Sequence, residues 1–316
     1  MRPLSRDRSG IAGILIGIII VIIIIIAAIS LFLIPFRTVH INDQQASPLE
    51  PGVQALRMNV TIDAGAIDVR FVNDTSVAAS MSVVGERRSG LLGPNDPVNV
   101  TWAEAFGGEA LQIDSVIKLG RNFGWFSSSD LRCTLNISSQ LRTSLNITSS
   151  LGTIDVRTIE GVELSNVNMM ASAGAIRMSV ANGTTVDGPI NIETSLGGLD
   201  LNWTNVVTTD NASINMKASA GGVRMTILQT DALGSDMAVQ TNASLGGIDV
   251  TMNIQGNNSA RVQSHADLGG VSVPQKTGFN GTDADLTSVN YPAPSNFDVR
   301  CNASAGGVNL RLNYSE

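Results

Sequence analysis

The chain has 316 residues, of which 43% are hydrophobic and 15% are charged, and its formal net charge at pH 7 is −7. This length allows one large domain or two modest ones. Nucleic-acid binding needs a clustered basic face. The composition excludes that function, because this acidic chain holds only three lysines, Lys118, Lys217 and Lys276.

An uncharged, almost wholly aliphatic stretch runs from Ile11 to Leu33. About 20 such residues suffice for a helix to cross the hydrocarbon core of a bilayer, which is roughly 30 Å thick, so we predict a transmembrane helix over 11–36. Basic residues are more numerous before this stretch than after it, which places the N-terminus in the cytoplasm and the bulk of the chain outside. The predicted localisation is therefore the cell membrane, with a single integral pass.

Two alternatives remain for this stretch. A cleaved secretory signal has a shorter apolar region, about 7–15 residues, that ends at small residues, whereas the apolar chain here continues through 31–36. A leader cut after Gly10 would resemble those of archaeal pilins and predicts a mature N-terminus at Ile11.

A short phrase, Ser-Leu-Gly-Gly-Ile-Asp-Val at 244–250, recurs along the chain in related forms. The first glycines of its copies are Gly65, Gly152, Gly174, Gly197, Gly221, Gly246, Gly269 and Gly306. From Gly152 onward they are spaced by 22, 23, 24, 25, 23 and 37 residues. A period of this size is typical of one supersecondary unit per repeat, so the sequence predicts a stacked architecture.

Apolar and polar residues alternate on both sides of each glycine, which is typical of strands with one buried face. In the copy at 244–250, Ile248 and Val250 belong to the predicted buried face and Asp249 to the solvent face. A strand, a glycine corner, a second strand and a polar return fit one coil of a β-helix. The predicted fold class is all-β, a single-stranded right-handed β-helix or β-solenoid with rungs of about 23 residues, preceded by the transmembrane helix.

The chain divides into five predicted sections. These are a cytoplasmic basic tail (1–10), the transmembrane helix (11–36), a stalk or linker (37–54), a β-rich opening section of the solenoid (55–130) and its regular rungs (131–316). The stalk is predicted because its segment is polar, contains prolines and shows no periodicity.

The outward-facing position three residues after the first glycine alternates in charge. Successive copies carry Asp155, Arg177, Asp200, Arg224 and Asp249. If the copies stack, each aspartate lies between arginines, which avoids the repulsion of like charges in direct opposition. Exposed ion pairs contribute only about 0–1 kcal/mol each, so we interpret this column as a device that sets the strand register.

The residue before the first glycine alternates between leucine and alanine, and the alanine copies carry methionines in their strands. The methionines are Met169, Met178, Met216 and Met225. We interpret the pattern as core packing, in which long, flexible methionines compensate for a small corner residue. Cys133 and Cys301 fall in the same apolar alternation, and we predict two free, buried thiols.

An opening strand with the glycine motif, a strand pair, a strand at 131–137 and then serial Ser-x-Gly-x-Ile-x-Val units is similar to the putative-adhesin family of β-solenoid proteins on prokaryotic cell envelopes. The resemblance covers most of 55–312. It implies a surface protein, and the family supplies no catalytic residues to carry over.

Little in the sequence could support catalysis or metal binding. His40 and His265 are the only histidines, so neither a Ser-His-Asp triad nor a histidine-rich metal site is predicted. The serines that precede the glycines recur in the copies and are predicted to form hydrogen bonds at the corner. We therefore predict no catalytic residue, no metal site and no cofactor.

Ligand contacts are predicted where the repeat is interrupted, because aromatic side chains in irregular loops can stack on sugars or contact a partner. The candidates are Phe123, Trp125, Phe126, Phe279 and Tyr291. The alternative is that these side chains plug the ends of the solenoid.

Asn-x-Ser/Thr sequons, which are glycosylation acceptors in a secreted chain, are dense outside the aliphatic stretch. The candidate acceptors are Asn59, Asn73, Asn99, Asn136, Asn146, Asn182, Asn202, Asn211, Asn242, Asn257, Asn280, Asn302 and Asn313.

These features predict a non-catalytic, membrane-anchored extracellular module, adhesin-like or structural, whose partner is a cell-surface glycan or an envelope protein. Two alternatives stay open. The first is a polysaccharide-processing β-helix enzyme, which needs two carboxylates about 5–9.5 Å apart, and the second is a pilin-like filament subunit. The last strand has no evident cap, so an oligomer formed by edge pairing is also open.

Overall fold

The structure is a computed structural model, and it describes residues 18–26, 37–89, 98–119, 129–209 and 212–316. Residues 18–26 form one short helix, α1. Most of the other described residues lie in strands, so the described part of the chain is all-β apart from this helix.

The strands, numbered in chain order, are β1 (Arg37–Pro48), β2 (Ala55–Ala64), β3 (Ala66–Val72), β4 (Val77–Ser89), β5 (Val98–Gly107), β6 (Ala110–Leu119), β7 (Ser129–Ser138), β8 (Arg142–Leu151), β9 (Ile154–Arg157), β10 (Glu163–Ala173), β11 (Ile176–Val180), β12 (Thr185–Val186), β13 (Pro189–Leu196), β14 (Leu199–Thr204), β15 (Val207–Thr208), β16 (Ser213–Ala220), β17 (Val223–Gln229), β18 (Met237–Leu245), β19 (Ile248–Gln255), β20 (Asn258–Leu268), β21 (Val271–Thr277), β22 (Phe279–Thr282), β23 (Asp285–Ser288), β24 (Ser295–Ala305) and β25 (Val308–Ser315).

The strands form two large mixed sheets. Sheet A has eleven strands in the order β1-β4-β7-β3-β9-β11-β14-β17-β19-β25-β21. Sheet B has fourteen strands, twelve of them in the order β22-β23-β20-β24-β18-β16-β13-β10-β8-β2-β6-β5, while the short strands β12 and β15 pair beside β10. In most motif copies, the strand before the first glycine belongs to sheet B and the strand after it to sheet A, so the glycine corner joins the two sheets.

The hydrophobic core is built from alternate residues of these strands. The residue two positions after the first glycine is at most 2% exposed in seven of the copies, at Ile67, Ile154, Ile176, Leu199, Val223, Ile248 and Val308. The four methionines of the alanine copies are fully buried in the same cluster. The predicted two-faced strands are therefore present, and the core assignment of these methionines is confirmed.

Both thiols also lie in the core. Cys133 on β7 and Cys301 on β24 are buried, and each is a free cysteine. The prediction of two free, buried thiols is confirmed.

The predicted single-stranded right-handed β-helix is wrong. The described residues form two mixed sheets and no closed solenoid. Antiparallel pairs flank the parallel strands, at β1, β4 and β7 in sheet A and at β5, β22 and β23 in sheet B. The physical reason is that hydrophobic alternation reports which face of a strand is buried and contains no information on the direction of the neighbouring strand.

The last strands also depart from chain order. β24 lies between β18 and β20, and β25 lies between β19 and β21, with parallel pairing on both sides. The interval of 37 residues between Gly269 and Gly306 contains the hairpin of β22 and β23, which pairs with the outer edge of β20. The chain then returns and inserts its final two strands inside the sheets.

The predicted transmembrane helix over 11–36, and the single-pass cell-membrane localisation derived from it, are corrected by the structure. In the described part of the chain, no helix is long and apolar enough to cross a membrane. The tail 1–10, with the leader cleavage site predicted at Gly10, and the rest of the predicted span lie outside the described residues.

The segment predicted as a stalk begins with a strand instead. β1 pairs antiparallel with β4 along its whole length, from Arg37 opposite Ser89 to Pro48 opposite Val77. Exposed and half-buried residues alternate along β1, and Ile41 packs against the core. This strand covers the edge that β4 would otherwise present to solvent, and uncovered edges invite association with other chains.

Candidate contact surface

The predicted aromatic ligand contacts do not form one site in the described residues. Phe123, Trp125 and Phe126 lie outside those residues. Phe279 on β22 is 6% exposed and belongs to the core. Tyr291 is half-buried, and its hydroxyl donates to a carboxylate oxygen of Asp298 at 3.3 Å. Burial and the nearby Asp298 raise the pKa of Tyr291 above its ordinary value.

Most of the predicted glycosylation acceptors within the described residues are exposed. Asn211 is outside the described residues, and eight of the other acceptors are exposed: Asn73, Asn99, Asn146, Asn182, Asn202, Asn257, Asn280 and Asn302. Asn59, Asn136, Asn242 and Asn313 are half-buried. In no copy of the motif does an acceptor fall between the residue before the first glycine and the third residue after it.

Groups that could support chemistry are dispersed. No cluster of three or more His, Cys, Asp or Glu side chains suited to a metal ion occurs within the described residues. His265 contacts Asp267 at 2.8 Å and His40 contacts Glu86 at 3.3 Å, and all four side chains are exposed. Burial raises the pKa of Cys133 to about 12 and that of Cys301 to about 11, which keeps both thiols protonated near neutral pH.

The corner serines were expected to form hydrogen bonds, and this expectation is wrong. Within the described part of the chain, the side chains of Ser150, Ser172, Ser195 and Ser244 make no hydrogen bond, and all four residues are exposed. Near one corner, buried Thr194 donates a hydrogen bond from its Oγ1 to the carbonyl oxygen of Gly174 at 3.1 Å. The serines thus add polar groups to the surface beside the corner.

The leucine before the first glycine is exposed, contrary to the packing interpretation. Leu151, Leu196, Leu245 and Leu268 are 57%, 59%, 61% and 68% exposed. The alternation of side chains along a strand predicts that these leucines lie on the buried face. However, the strand pairing skips the preceding serine and the chain turns at the glycine, so the side chain points out of the corner. Because the corner leucines lie outside the core, the buried methionines do not compensate for a smaller corner residue.

These leucines form a regular row with the alanines of the adjacent strands. Direct register partners give the order Ala64, Leu151, Ala173, Leu196, Ala220, Leu245, Ala305 and Leu268. At about 4.8 Å per strand, the four leucines extend over about 29 Å. Full burial of a leucine side chain contributes about 1.5–3 kcal/mol. The leucine–alanine row is therefore an apolar ridge whose burial would be strongly favourable.

The first glycine fixes the corner by its backbone conformation. Gly174 has φ +143°, and a Cβ atom there would lie 1.7 Å from the carbonyl oxygen of Gly152 in the next strand. Gly197 has the same φ, with 2.0 Å to the carbonyl oxygen of Gly174. Only glycine adopts this conformation without strain. The first glycine is therefore a requirement of the fold.

The second glycine is not required in this way in four of the five copies that have it, whereas Gly270 has φ +85°. Gly198, Gly222, Gly247 and Gly307 have no positive φ, and the nearest atom to an added Cβ would be a carbonyl oxygen at 3.2–3.7 Å. Other copies hold alanine or threonine at this position, at Ala66, Thr153 and Ala175. The absence of side chains leaves a groove of about 640 Å³ that runs across the strands.

Charged side chains border this groove. Register pairing places Asp68, Asp155, Arg177, Asp200, Arg224, Asp249, Asn309 and Ser272 in one column, which we call the charged column. Only Asp200 has an arginine on both sides, whereas Asp155 lies between Asp68 and Arg177. The predicted alternation therefore holds only in the centre of the column.

The aspartates at the ends of the column have ion-pair partners outside it. Arg157 Nη2 lies 2.5 Å from Asp155 Oδ2, Arg311 Nη1 lies 2.9 Å from Asp249 Oδ1, and Arg70 pairs with Asp68. In the centre, Arg177 and Arg224 make no ion pair with any described residue. Asp200 Oδ1 is buried and has no hydrogen-bond partner among those residues. Three central charges therefore have no ion-pair partner among the described residues.

The leucine–alanine row, the groove and the charged column run side by side along the glycine corners, and together we call them the contact strip. It combines an exposed apolar ridge with positive and negative side chains that have no ion-pair partner among the described residues. The charged column could be predicted from the sequence, whereas the exposed ridge could not. The glycine next to each leucine indicates that the chain turns there, but the direction of the turn is visible only in the paired sheets.

No protein-family model matches the chain, and no curated protein matches it. Among solved structures, it is similar to a putative cell adhesion protein from Clostridium sporogenes, with 11% identity, a TM-score of 0.41, and coverage of 86% of this chain and 99% of that chain. A putative adhesin from Bacteroides fragilis is 7% identical, with a TM-score of 0.31 and coverage of 87% and 97%. A putative adhesin from Parabacteroides merdae is 9% identical, with a TM-score of 0.23 and coverage of 86% and 96%.

Proposed function

We propose that the protein is a non-catalytic, adhesin-like module that contacts its partner through the contact strip. The observation that carries this proposal is the row of four leucines, each more than half exposed, at regular spacing along one edge of the fold. Contiguous exposed apolar surface is uncommon on soluble proteins and marks interaction sites. The paired strands hold the row rigid, so little conformational entropy is lost when a partner binds.

The repetition of the strip favours adhesion over recognition of a small molecule. The same pair of motif copies, one with leucine and aspartate and the next with alanine and arginine, occurs more than once along the strip. A partner with a matching period makes several equivalent contacts at once, and linked contacts raise the overall affinity well above that of one contact.

The state of the carboxylates supports a non-catalytic role. Glycan hydrolysis uses two carboxyl groups that face one substrate, whereas Asp155 and Asp249 are held by arginines and Asp200 alone is free in the centre of the column. Glycans on the sequons would leave the strip open, because no acceptor asparagine lies within it.

The proposal is tested by an adhesion assay on the purified chain. Beads coated with the wild-type protein are applied to immobilised envelope polysaccharides and to a surface coated with the same chain, and adherent beads are counted. The test variant is L196S/L245S, and the matched control is L228S, because Leu228 is also an exposed leucine and lies outside the strip.

We expect wild-type and L228S beads to adhere to at least one surface, and L196S/L245S beads to lose at least about 90% of that adhesion, since each change removes about 1.5–3 kcal/mol of apolar burial. Circular dichroism and thermal unfolding establish that the variants are folded. Equal adhesion of the strip variant, or no adhesion of the wild type to any surface, would overturn the proposal.

A further inference from the structure

We infer that the partner of the contact strip is a second copy of this chain, bound antiparallel across a twofold axis between β14 and β17. The inference rests on the proposed function and names its partner. It follows from two periodic patterns on the strip that have the same period and the same phase.

The first pattern is the leucine–alanine row. A twofold dimer places the same surface of both copies in contact. If the axis lies in the interface, perpendicular to the strip and between two strands, the row of one copy runs antiparallel to the row of the other. A residue one strand above the axis then faces the position one strand below it.

This operation sets every leucine against an alanine. With the axis between β13 and β16 in sheet B, Leu196 faces Ala220 of the partner subunit, and Ala173 faces Leu245 of the partner subunit. Leu151 faces Ala305 of the partner subunit, and Ala64 faces Leu268 of the partner subunit. The axis thus lies at the middle of the eight-residue row, and large side chains meet small ones along all of it, as close packing requires.

The second pattern is the charged column. The same axis lies between β14 and β17 in sheet A, so Asp200 faces Arg224 of the partner subunit and Arg224 faces Asp200 of the partner subunit. One strand further out, Arg177 faces Asp249 of the partner subunit. The three central charges without an ion-pair partner in the described part of one copy therefore all meet the opposite charge.

A different partner would have to match both patterns by coincidence. A polyanion would be repelled by Asp200, which lies between the two arginines, and a polycation would be repelled by the arginines. A second copy carries the complementary charge at each central position, and complementary charges specify partner and register.

The decisive experiment uses two charge-reversal variants, D200R and R224D. Each alone forms like-charged pairs across the axis, so we expect its self-association in sedimentation velocity to be at least about tenfold weaker than that of the wild type. In a 1:1 mixture, the four central positions become complementary again, and we expect a heterodimer as tight as the wild-type dimer, seen as a 1:1 complex by native mass spectrometry.

The matched control is R300D, which also reverses one charge. Arg300 is exposed on β24 away from the strip, so R300D should self-associate like the wild type.

A pair of cysteine variants tests the register. In the antiparallel arrangement, position 173 of one copy faces position 245 of the other, so A173C mixed with L245C is expected to form a disulfide-linked dimer under mild oxidation. A173C mixed with L196C is the control, because those positions lie two strand spacings, about 9.6 Å, out of line, and a disulfide needs Cα atoms within about 7 Å.

The outcomes separate this inference from the proposed function. Restored association in the D200R and R224D mixture, together with the selective crosslink, supports the inference. A monomeric wild type at all concentrations, or mixtures no tighter than the single variants, overturns it. If the L196S/L245S variant then loses adhesion to a polysaccharide surface, the proposed function stands with a different partner.

Discussion

At the scale of single residues, the two adjacent glycines of the motif have different roles. The first adopts a positive φ and lies against the backbone of the next strand, whereas the second, except at Gly270, has no positive φ and keeps the groove open. The sequence already separates the two positions, because some copies hold alanine or threonine at the second, and the three-dimensional contacts explain why the first is always glycine.

We predict that G197A and G198A differ sharply in stability. A methyl group at Gly197 would lie 2.0 Å from a carbonyl oxygen at φ +143°, so the variant should lose about 2–4 kcal/mol of unfolding free energy or fail to fold. A methyl group at Gly198 meets its nearest atom at 3.7 Å, so its effect should be within about 0.5 kcal/mol. Denaturant unfolding monitored by circular dichroism measures both, and equal losses would refute the distinction.

The buried thiols give a second residue-level prediction. Burial raises the pKa of Cys133 to about 12 and of Cys301 to about 11, and the thiolate is the reactive form. At pH 8, the folded protein should show negligible labelling by a thiol reagent, and the unfolded protein should show two reactive thiols. A single reactive thiol in the native protein would show that one site opens.

The same shifts have a consequence for stability at high pH. A thiol whose pKa is raised on folding contributes stability that is fully present below the pKa of the unfolded thiol and is lost as pH rises through the folded value. Unfolding free energy should therefore fall from about pH 9 up to the folded pKa values of about 11 for Cys301 and about 12 for Cys133. The fall should be smaller in a C133A/C301A variant, and an equal fall would assign it to other groups.

At the scale of elements, side-chain pairs connect the polar returns between strands. Arg142 at the start of β8 lies 3.0 Å from Glu163 on β10 and also pairs with Asp187, which follows β12. Thr209, after β15, donates its hydroxyl to Asp187. The Asp187 carboxylate thus connects the start of β8 with the return that follows β15.

We predict that Asp187 contributes to acid stability. Its pKa is lowered, first by the hydrogen bond from Thr209 and then by Arg142. A lowered pKa means that the stabilisation is present above the ordinary carboxyl range and is lost as pH falls through the folded value, below about pH 4. In T209V, the pKa of Asp187 followed by NMR should rise towards its ordinary value, and an unchanged pKa would contradict the assigned cause.

At the scale of the whole molecule, the position of the last two strands decides how the fold closes. β24 and β25 are inserted between earlier strands, with parallel partners on both sides. The C-terminus of the chain therefore belongs to the interior of both sheets rather than to their edge.

A truncation tests this arrangement. Removal of 295–316 takes away β24 and β25 and leaves β18, β19, β20 and β21 without a shared partner, so we expect an insoluble or unfolded product. Removal of 1–48 takes away one edge strand, β1, and is the control that should remain folded. A soluble, cooperatively unfolding product of the C-terminal truncation would show that the strands had instead stacked in chain order.

Local stereochemistry explains what could be predicted from the sequence. Alternation along a strand and the positive φ of the first glycine depend on residues only a few positions apart, so the buried faces, the core methionines, the two free thiols and the corners could all be read from the chain. The charged column was also visible, because its members occupy one position of the motif.

Non-local contacts decided the rest. The direction of neighbouring strands, the insertion of β24 and β25, and the strand formed by 37–48 depend on pairing between distant segments, which no local pattern records. The outward turn of Leu196 and its equivalents depends on where the corner points after the sheets have paired. The sequence by itself therefore determined which residues make strands and core, and only the tertiary structure decided the order of those strands and the surface that they present.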